Sequence, residues 1–475
     1  MLARELLKAH AGKYEDKIAI VDADDRITYR ELFEEVVRTS QILQDNVGAE
    51  DVLLTMPGKD IDSVVLFLSM ICADTTFIHG ERAAVDELQV DFPYSHILSD
   101  VEKECSDAKF FLRKSAYFLN RVDGSKSGSD LVENDRYIMS TSGTSGAKKH
   151  VFSSFCKLID NARIVTNYYG LNEDIVSMTL YPPFRVFFES FIRAIYLGGK
   201  AVLVDSSQLG LAVNLMRDEQ VNFMQGTSSQ YLNLSQKVSP RDAESVKIIE
   251  VAGSSLSKKA GERLASSFHR AQIVRAWGST ETAGVCVINK KASKTANSIG
   301  EILPEYCVRI LSINDDEKES SVGEMLIKGC SVTRKMLHKG EVINVPEYYN
   351  TADIVKIDEC GNLTFLGRRT GMIKSAGNNI YPDEIESVLA EYPYVEAAAV
   401  VGVVDDLRGE VPAAYVQVQH DHQISVLELR KYCASHLDPW KIPLHWIISR
   451  KDIPVRESGK IDSEKIKEEV LRTMI

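Results

Sequence analysis

Residues 137–151 read Tyr-Ile-Met-Ser-Thr-Ser-Gly-Thr-Ser-Gly-Ala-Lys-Lys-His-Val. An apolar run enters a loop of Ser, Thr and Gly that ends in two lysines. Glycines such as Gly143 and Gly146 let the backbone approach a ligand closely. Successive backbone N–H groups in such a turn form an anion-binding concavity. The hydroxyls of Thr141, Ser142, Thr144 and Ser145 add donors, and Lys148 and Lys149 add positive charge. This chemistry suits a triphosphate, although the Walker spacing G-x-x-x-x-G-K-[ST] is absent. Taken alone, the loop reads almost as well as a flexible polar turn.

Working outward, residues 1–280 alternate strand-like and helix-like patterns. Residues 17–29 read as a hairpin with Asp24 and Asp25 near its turn, and Leu32, Phe33, Val36, Val37, Ile42 and Leu43 then fall at helical spacing. Runs 51–56, 137–139, 200–204, 222–224 and 247–251 read as buried strands with helices between most of them. Such alternation predicts an α/β fold of layered, mostly parallel sheets. Ligands in these folds sit at the carboxyl ends of strands, and both the 141–149 loop and the turn at 277–281 follow strand-like runs. Residues 284–366 change character: short strands near 325–327 and 363–365, with Gly323, Gly329 and Gly361 at turns, predict an antiparallel β subdomain. Beyond Gly367 a small α+β unit is expected, with strands near 397–404, 413–418 and 445–449 and helices near 382–391, 424–436 and 462–473. The chain ends just after residue 473, so no carrier domain is expected to follow.

The chain has 475 residues, too many for one ordinary core. It is 44% hydrophobic and 26% charged, as expected of a globular protein. Its net charge of −12 and the lack of a Lys/Arg stripe argue against nucleic acid as a partner. The eight cysteines form no C-x-x-C pair and no His stands at zinc spacing, so reduced thiols are expected. The N-terminus lacks the apolar core of a signal peptide. The longest apolar run, 64–73, is shorter than the ~20 residues needed to span a bilayer. A protein without a membrane partner, placed in the cytoplasm, is the expectation.

Three further segments join the loop. Residues 276–281 read Ala-Trp-Gly-Ser-Thr-Glu, residues 349–386 run from Tyr-Asn-Thr-Ala-Asp through Leu-Gly-Arg-Arg-Thr-Gly-Met-Ile-Lys-Ser-Ala-Gly to Tyr-Pro-Asp-Glu-Ile-Glu, and residues 453–462 read Ile-Pro-Val-Arg-Glu-Ser-Gly-Lys-Ile-Asp. With Ile27-Thr28-Tyr29-Arg30-Glu31-Leu32, these motifs in this order resemble the adenylate-forming enzymes: acyl-CoA synthetases, adenylation domains of nonribosomal peptide synthetases and firefly luciferase. The resemblance covers essentially the whole chain.

The resemblance implies a core at 1–368 that binds ATP and acid, with 284–366 as its β-rich part, and a small mobile domain at 369–475. It implies ATP-dependent activation of a carboxylic acid to an acyl-adenylate, with release of pyrophosphate. Transfer to a thiol follows, on coenzyme A or on the phosphopantetheine of a separate carrier protein. Two anions must approach each other in the first step, so cations and donors must be in place beforehand. By resemblance Lys460 bridges carboxylate and phosphate, Thr280 contacts phosphate, and Glu281 holds Mg²⁺, which favours hard oxygen ligands. Trp277 flanks adenine, with Gly278 and Ser279 in the same turn, and Gly253, Ser254 and Ser255 form the loop that reads the base. Asp353 takes the ribose hydroxyls with Arg368 beside it. Lys374 and Gly377 lie on the loop that lines the thiol tunnel.

Plainer readings stand beside these: a helix cap followed by a favourable first-turn Glu at 280–281, an Asp353–Arg368 ion pair, a turn glycine at 377. Departures from the pattern are Lys148 for Pro, His150 for Gly, Ala276 for Asn, Ala352 for Gly and Thr370 for the hinge acid. The acid is expected between 181–190, 225–230 and 276–286. The first segment is aromatic, which suits a flat or apolar acid; Phe184 and Arg185 are its candidate specificity residues, and Glu189 could meet an amine. Adenylation without thiol transfer, or a non-catalytic nucleotide-binding regulator, are the alternatives.

Overall fold

Thr28 closes the first hairpin and opens the helix Tyr29–Asn46 by a capping box, in which its side chain accepts from the Glu31 amide and the Glu31 carboxylate accepts from the Thr28 amide. The hairpin itself, Ile18–Val21 with Arg26–Thr28, turns where Asp22 accepts from the amides of Asp24 and Asp25. The structure is a computed structural model that describes residues 2–80, 94–99, 106–113, 116–122, 135–142, 148–181, 187–253, 256, 258–290, 298–313, 315–419, 422–454 and 461–474.

The described strands form three sheets. The largest has six parallel strands in the order Ile18–Val21, Lys200–Leu203, Val176–Thr179, Phe223–Gly226, Ile248–Val251 and Gln272–Ser279. Their residues are mostly apolar and almost all buried, as parallel strands covered on both faces require, with Gln225 and Glu250 as buried polar exceptions. A second sheet has a parallel centre of Tyr137–Ser142, Thr76–His79, Val52–Thr55 and His96–Ser99. Ile61–Cys72 is a mostly apolar helix because it is packed between elements: from Ile61 to Met70 every residue is buried, Asp62, Ser63 and Ser69 included. The predicted α/β layering is therefore present.

The antiparallel strands expected in 284–366 are present but do not make a sheet apart. Gly284–Asn289 pairs antiparallel with Gln272–Ser279 and continues the large sheet outward through Ser298–Ile302, Leu363–Arg368, Tyr349–Ile357 and Val322–Gly329. Lys335–His338 and Glu341–Asn344 instead extend the second sheet beside Lys148–Ser153. Gly323 lies inside a strand rather than at a turn, whereas Gly329 ends that strand and its carbonyl accepts from the Val332 amide in the turn that follows. A Cβ on Gly323 would fall 1.8 Å from the Leu311 carbonyl oxygen, so close strand approach explains it. Gly361 does sit in a turn, with φ of 82°.

The third sheet is built from Asn378–Ile380, Ile373–Ser375, Gly409–Val418 and Val395–Asp405, with His445–Ser449 parallel to Gly409–Val418. The helices Pro382–Glu391, Val426–Ala434 and Ser463–Met474 lie within two residues of their expected bounds. Its apolar residues form clusters of their own around Ile385, Leu389 and Val416 on one face and Ile466 and Val470 on the other. The seven described cysteines are free thiols. Among the described residues no helix is long and apolar enough to cross a membrane, and no three His, Cys, Asp or Glu side chains converge as a metal cluster.

Candidate active site

The site is built where the parallel half of the large sheet ends. Gln272–Ser279 carries Trp277, Gly278 and Ser279 to its carboxyl end, and the chain turns through Thr280–Thr282 into Gly284–Asn289. Gly278 is required for this return, because a Cβ there would lie 2.2 Å from the Gly284 carbonyl oxygen. Thr282 locks the turn: its hydroxyl accepts from the Ser279 amide at 2.9 Å and lies 2.7 Å from the Gly284 carbonyl.

Strand Tyr349–Ile357 meets this turn through two side-chain rungs. Trp277 Nε1 donates to Asp353 Oδ2 at 2.9 Å, and the Tyr349 hydroxyl donates to Glu281 Oε1 at 2.9 Å. The Glu281 backbone is fixed as well, since its carbonyl accepts from the Thr333 amide at 2.7 Å. Glu281 Oε2 has no partner among the described residues. A carboxylate held at one oxygen, with the other unengaged, fits a magnesium ion, which takes one or two carboxylates beside phosphate oxygens.

Asp353 is 2% exposed. Arg368 lies opposite it in the strand register, with Nε 2.9 Å from Asp353 Oδ1, as a close ion contact rather than an aligned hydrogen bond. Burial raises the Asp353 pKa against the opposing pull of Arg368 and Trp277. The ion pair is thus present, and the carboxylate is covered rather than open. Ala352, standing where the family usually has glycine, has φ of 58°. That left-handed geometry explains the usual glycine.

Thr141 and Lys149 face each other across the hairpin of Tyr137–Ser142 and Lys148–Ser153, and the backbone of Ser142 pairs with Lys148. Tyr137–Ser142 runs parallel to Thr76–His79, and the carboxyl ends of such strands are where ligands bind. His150, the departure beside Lys149, is buried with Nδ1 3.0 Å from Ser140 Oγ. Gly253 has φ of 73° just past Ile248–Val251. Lys374 is exposed, and Ala376 and Gly377 make a two-residue turn with φ of 46° and 84°, the geometry of a primed hairpin turn. Gly143, Thr144, Ser145, Gly146, Phe184, Arg185, Ser254, Ser255 and Lys460 lie outside the described residues. Around Lys460, the Asp462 amide donates to the Pro454 carbonyl at 2.8 Å.

A buried polar cluster of Arg193, Glu189, Glu250 and Gln225 has no counterpart in the sequence reading. Arg193 donates to both oxygens of Glu250 at 3.0 and 3.1 Å and lies 3.3 Å from Glu189. Gln225 bridges the two carboxylates, and Tyr169 donates to Glu250. Glu189, expected as a possible partner for a substrate amine, is already engaged here. Lys59 donates to Ser190 Oγ and the Thr179 carbonyl, and burial holds its amine down at about 7. Lys59 and Arg193 carried no motif signal, and Tyr349, although it opens the 349–353 motif, gave no sign of its pairing with Glu281, because the partners of the three are 131, 57 and 68 residues away.

The profile of AMP-binding enzymes matches residues 59–337, more than half of the chain, and that of the AMP-binding enzyme C-terminal domain matches residues 384–460. The chain belongs to the AMP-binding enzyme family. This is the adenylate-forming superfamily of acyl-CoA ligases and luciferase. A 2-succinylbenzoate–CoA ligase of Listeria monocytogenes is 30% identical over 335 residues, spanning 70% of this chain and 69% of that protein. Luciferin 4-monooxygenase of Photinus pyralis is 24% identical over 96% of this chain and 91% of its own length. A mitochondrial medium-chain acyl-CoA ligase of Macaca fascicularis is 26% identical, but the match spans 57% of its length. Among solved structures, the o-succinylbenzoate CoA synthetase of Bacillus subtilis with its acyl-adenylate superposes with a TM-score of 0.81 at 22% identity over 97% of both chains. ATP-bound MatB of Rhodopseudomonas palustris gives 0.82 at 20% identity over 98% of both. These AMP-binding enzymes share the fold described above.

Proposed function

We propose that this AMP-binding enzyme is an AMP-forming acid–thiol ligase. It activates a carboxylic acid with ATP to the acyl-adenylate, releases pyrophosphate, and passes the acyl group to coenzyme A. The observation that carries this reading is the pair of rungs Trp277–Asp353 and Glu281–Tyr349 at the carboxyl end of a parallel strand.

In the first step an oxygen of the acid attacks the α-phosphorus, and the bond to pyrophosphate breaks. Thr280, Lys149 and the 143–146 loop hold the phosphates. Glu281 would hold Mg²⁺, which supplies charge neutralisation at phosphate oxygens. Lys460 places its ammonium between carboxylate and phosphate, where charge develops. Asp353 takes the ribose once Arg368, which is half exposed, swings aside. In the second step the thiol sulfur attacks the acyl carbon and AMP leaves. We place the division between the large and small domains at 368/369, with Lys374 and Gly377 on the thiol side. A flat or apolar acid suits the aromatic 181–190 segment, and the protein works in the cytoplasm.

The test is thioester formation. With ATP, Mg²⁺, coenzyme A and aryl or medium-chain acids, mass spectrometry should detect an acyl-CoA from at least one acid. AMP accumulating with no thioester would exclude the transfer step.

A further inference from the structure

We propose that Tyr349 is the positioning residue of the metal-binding carboxylate: its hydroxyl holds Glu281 by one oxygen so that the other is presented to the metal ion of the nucleotide complex. This rests on the reading of Glu281 as a magnesium ligand.

Three observations carry it. The Tyr349 hydroxyl donates to Glu281 Oε1 at 2.9 Å, while Oε2 has no partner among the described residues. Tyr349 is only 9% exposed, so little water competes with Glu281 for its hydroxyl. The Glu281 carbonyl is pinned by the Thr333 amide, so rotation of the side chain is the freedom left, and the Tyr349 hydrogen bond removes it. Partners that orient a ligating carboxylate typically contribute about 10–100-fold to metal affinity or activity.

The arrangement also joins two halves of the nucleotide site. Tyr349 and Asp353 stand four residues apart on one strand, and Glu281 and Trp277 four residues apart on the facing segment. The strand that closes over the ribose position through Asp353 therefore also aims the metal ligand through Tyr349. A purely structural role would be to staple this strand to the turn at 280–282, and the two roles differ in what they do to metal binding.

The experiment uses the full chain and Mn²⁺ as a paramagnetic probe with a non-hydrolysable ATP analogue, with free Mn²⁺ read by electron paramagnetic resonance. Tyr349→Phe keeps the ring and removes the donor. It should raise the Mn²⁺ midpoint about tenfold while metal-free analogue affinity stays within about twofold. Glu281→Gln should raise it at least as far, and the double variant should add nothing, because one acts through the other. A Tyr349→Phe midpoint equal to wild type, or losses that add in the double variant, overturns the proposal. So does a midpoint shift matched by an equal loss of metal-free binding, which marks a structural staple. Metal-dependent binding in a wild type that forms no adenylate would sink the ligase reading alone.

Discussion

Trp277 and Asp353 are joined by one hydrogen bond of 2.9 Å from the indole nitrogen to a carboxylate oxygen, across 76 residues of sequence. It fixes the ring proposed to flank adenine to the acid proposed for the ribose. Trp277→Phe leaves that oxygen of a buried carboxylate unpaired. A loss of roughly 1–3 kcal/mol is expected in denaturant unfolding. Asp353→Asn keeps an acceptor for the indole and removes a charge that burial disfavours. Its stability should stay near wild type while ATP affinity, read by calorimetry, falls about tenfold, or ~1.4 kcal/mol. Unchanged ATP affinity would remove Asp353 from the nucleotide site.

Ala352 adopts φ of 58° between Asn350, whose side-chain oxygen accepts from the Ala352 amide, and Asp353. A non-glycine residue there costs about 1–2 kcal/mol, partly offset by the backbone entropy a glycine loses on folding. Ala352→Gly should therefore raise stability by about 0.5–1 kcal/mol, measured by thermal unfolding, with activity unchanged.

Glu386 gives a pH signature. Burial, reinforced by Asp383, pushes its pKa up to about 8 from a usual 4.5. Below the usual value both folded and unfolded chains hold the proton, and nothing is lost. As pH rises from about 4.5 to 8 the unfolded chain ionises first, so folding becomes progressively less favourable. Glu386→Gln keeps the oxygen that accepts from the Val400 amide and removes the titration. The variant should gain on wild type through this window, by more than ~1 kcal/mol at pH 8. Parallel stability–pH curves would contradict this.

Much of the architecture was legible locally. Pro382 at the helix start with Asp383 and Glu384 in the first turn marks Pro382–Glu391, and the β-branched run at the end of Val395–Asp405 reads as strand. The turn of Trp277 to Glu281 was legible because its glycine and hydroxyls are contiguous. Tyr349 was not, because its hydrogen bond to Glu281 exists only after the strand folds back. No motif joins Arg193, Glu189 and Glu250 in the sequence, yet the fold buries them together, with Arg193 against both carboxylates and Gln225 bridging them. Gly323 read as a turn, since close strand approach and a turn demand the same residue.

Substitution at Gly377 is expected to separate the two half-reactions. A Cβ there meets nothing within 4 Å, so the cost of substitution comes from its φ of 84°. Gly377→Asn, which tolerates that φ, should be nearly as stable as wild type; Gly377→Trp should lose about 1–2 kcal/mol. Pyrophosphate exchange should survive in both, and thioester formation should fail in the Trp variant because the side chain blocks the thiol path. Equal loss of both half-reactions in the Trp variant would mark the glycine as structural.

Acid-dependent ATP–pyrophosphate exchange tests the central claim most directly. Across a panel of aryl, fatty and amino acids, wild type should exchange label with at least one acid and not in its absence. Lys460→Ala should reduce that rate by about 10²–10³ while ATP still binds. No exchange with any acid, or wild-type exchange in Lys460→Ala, would contradict the assignment.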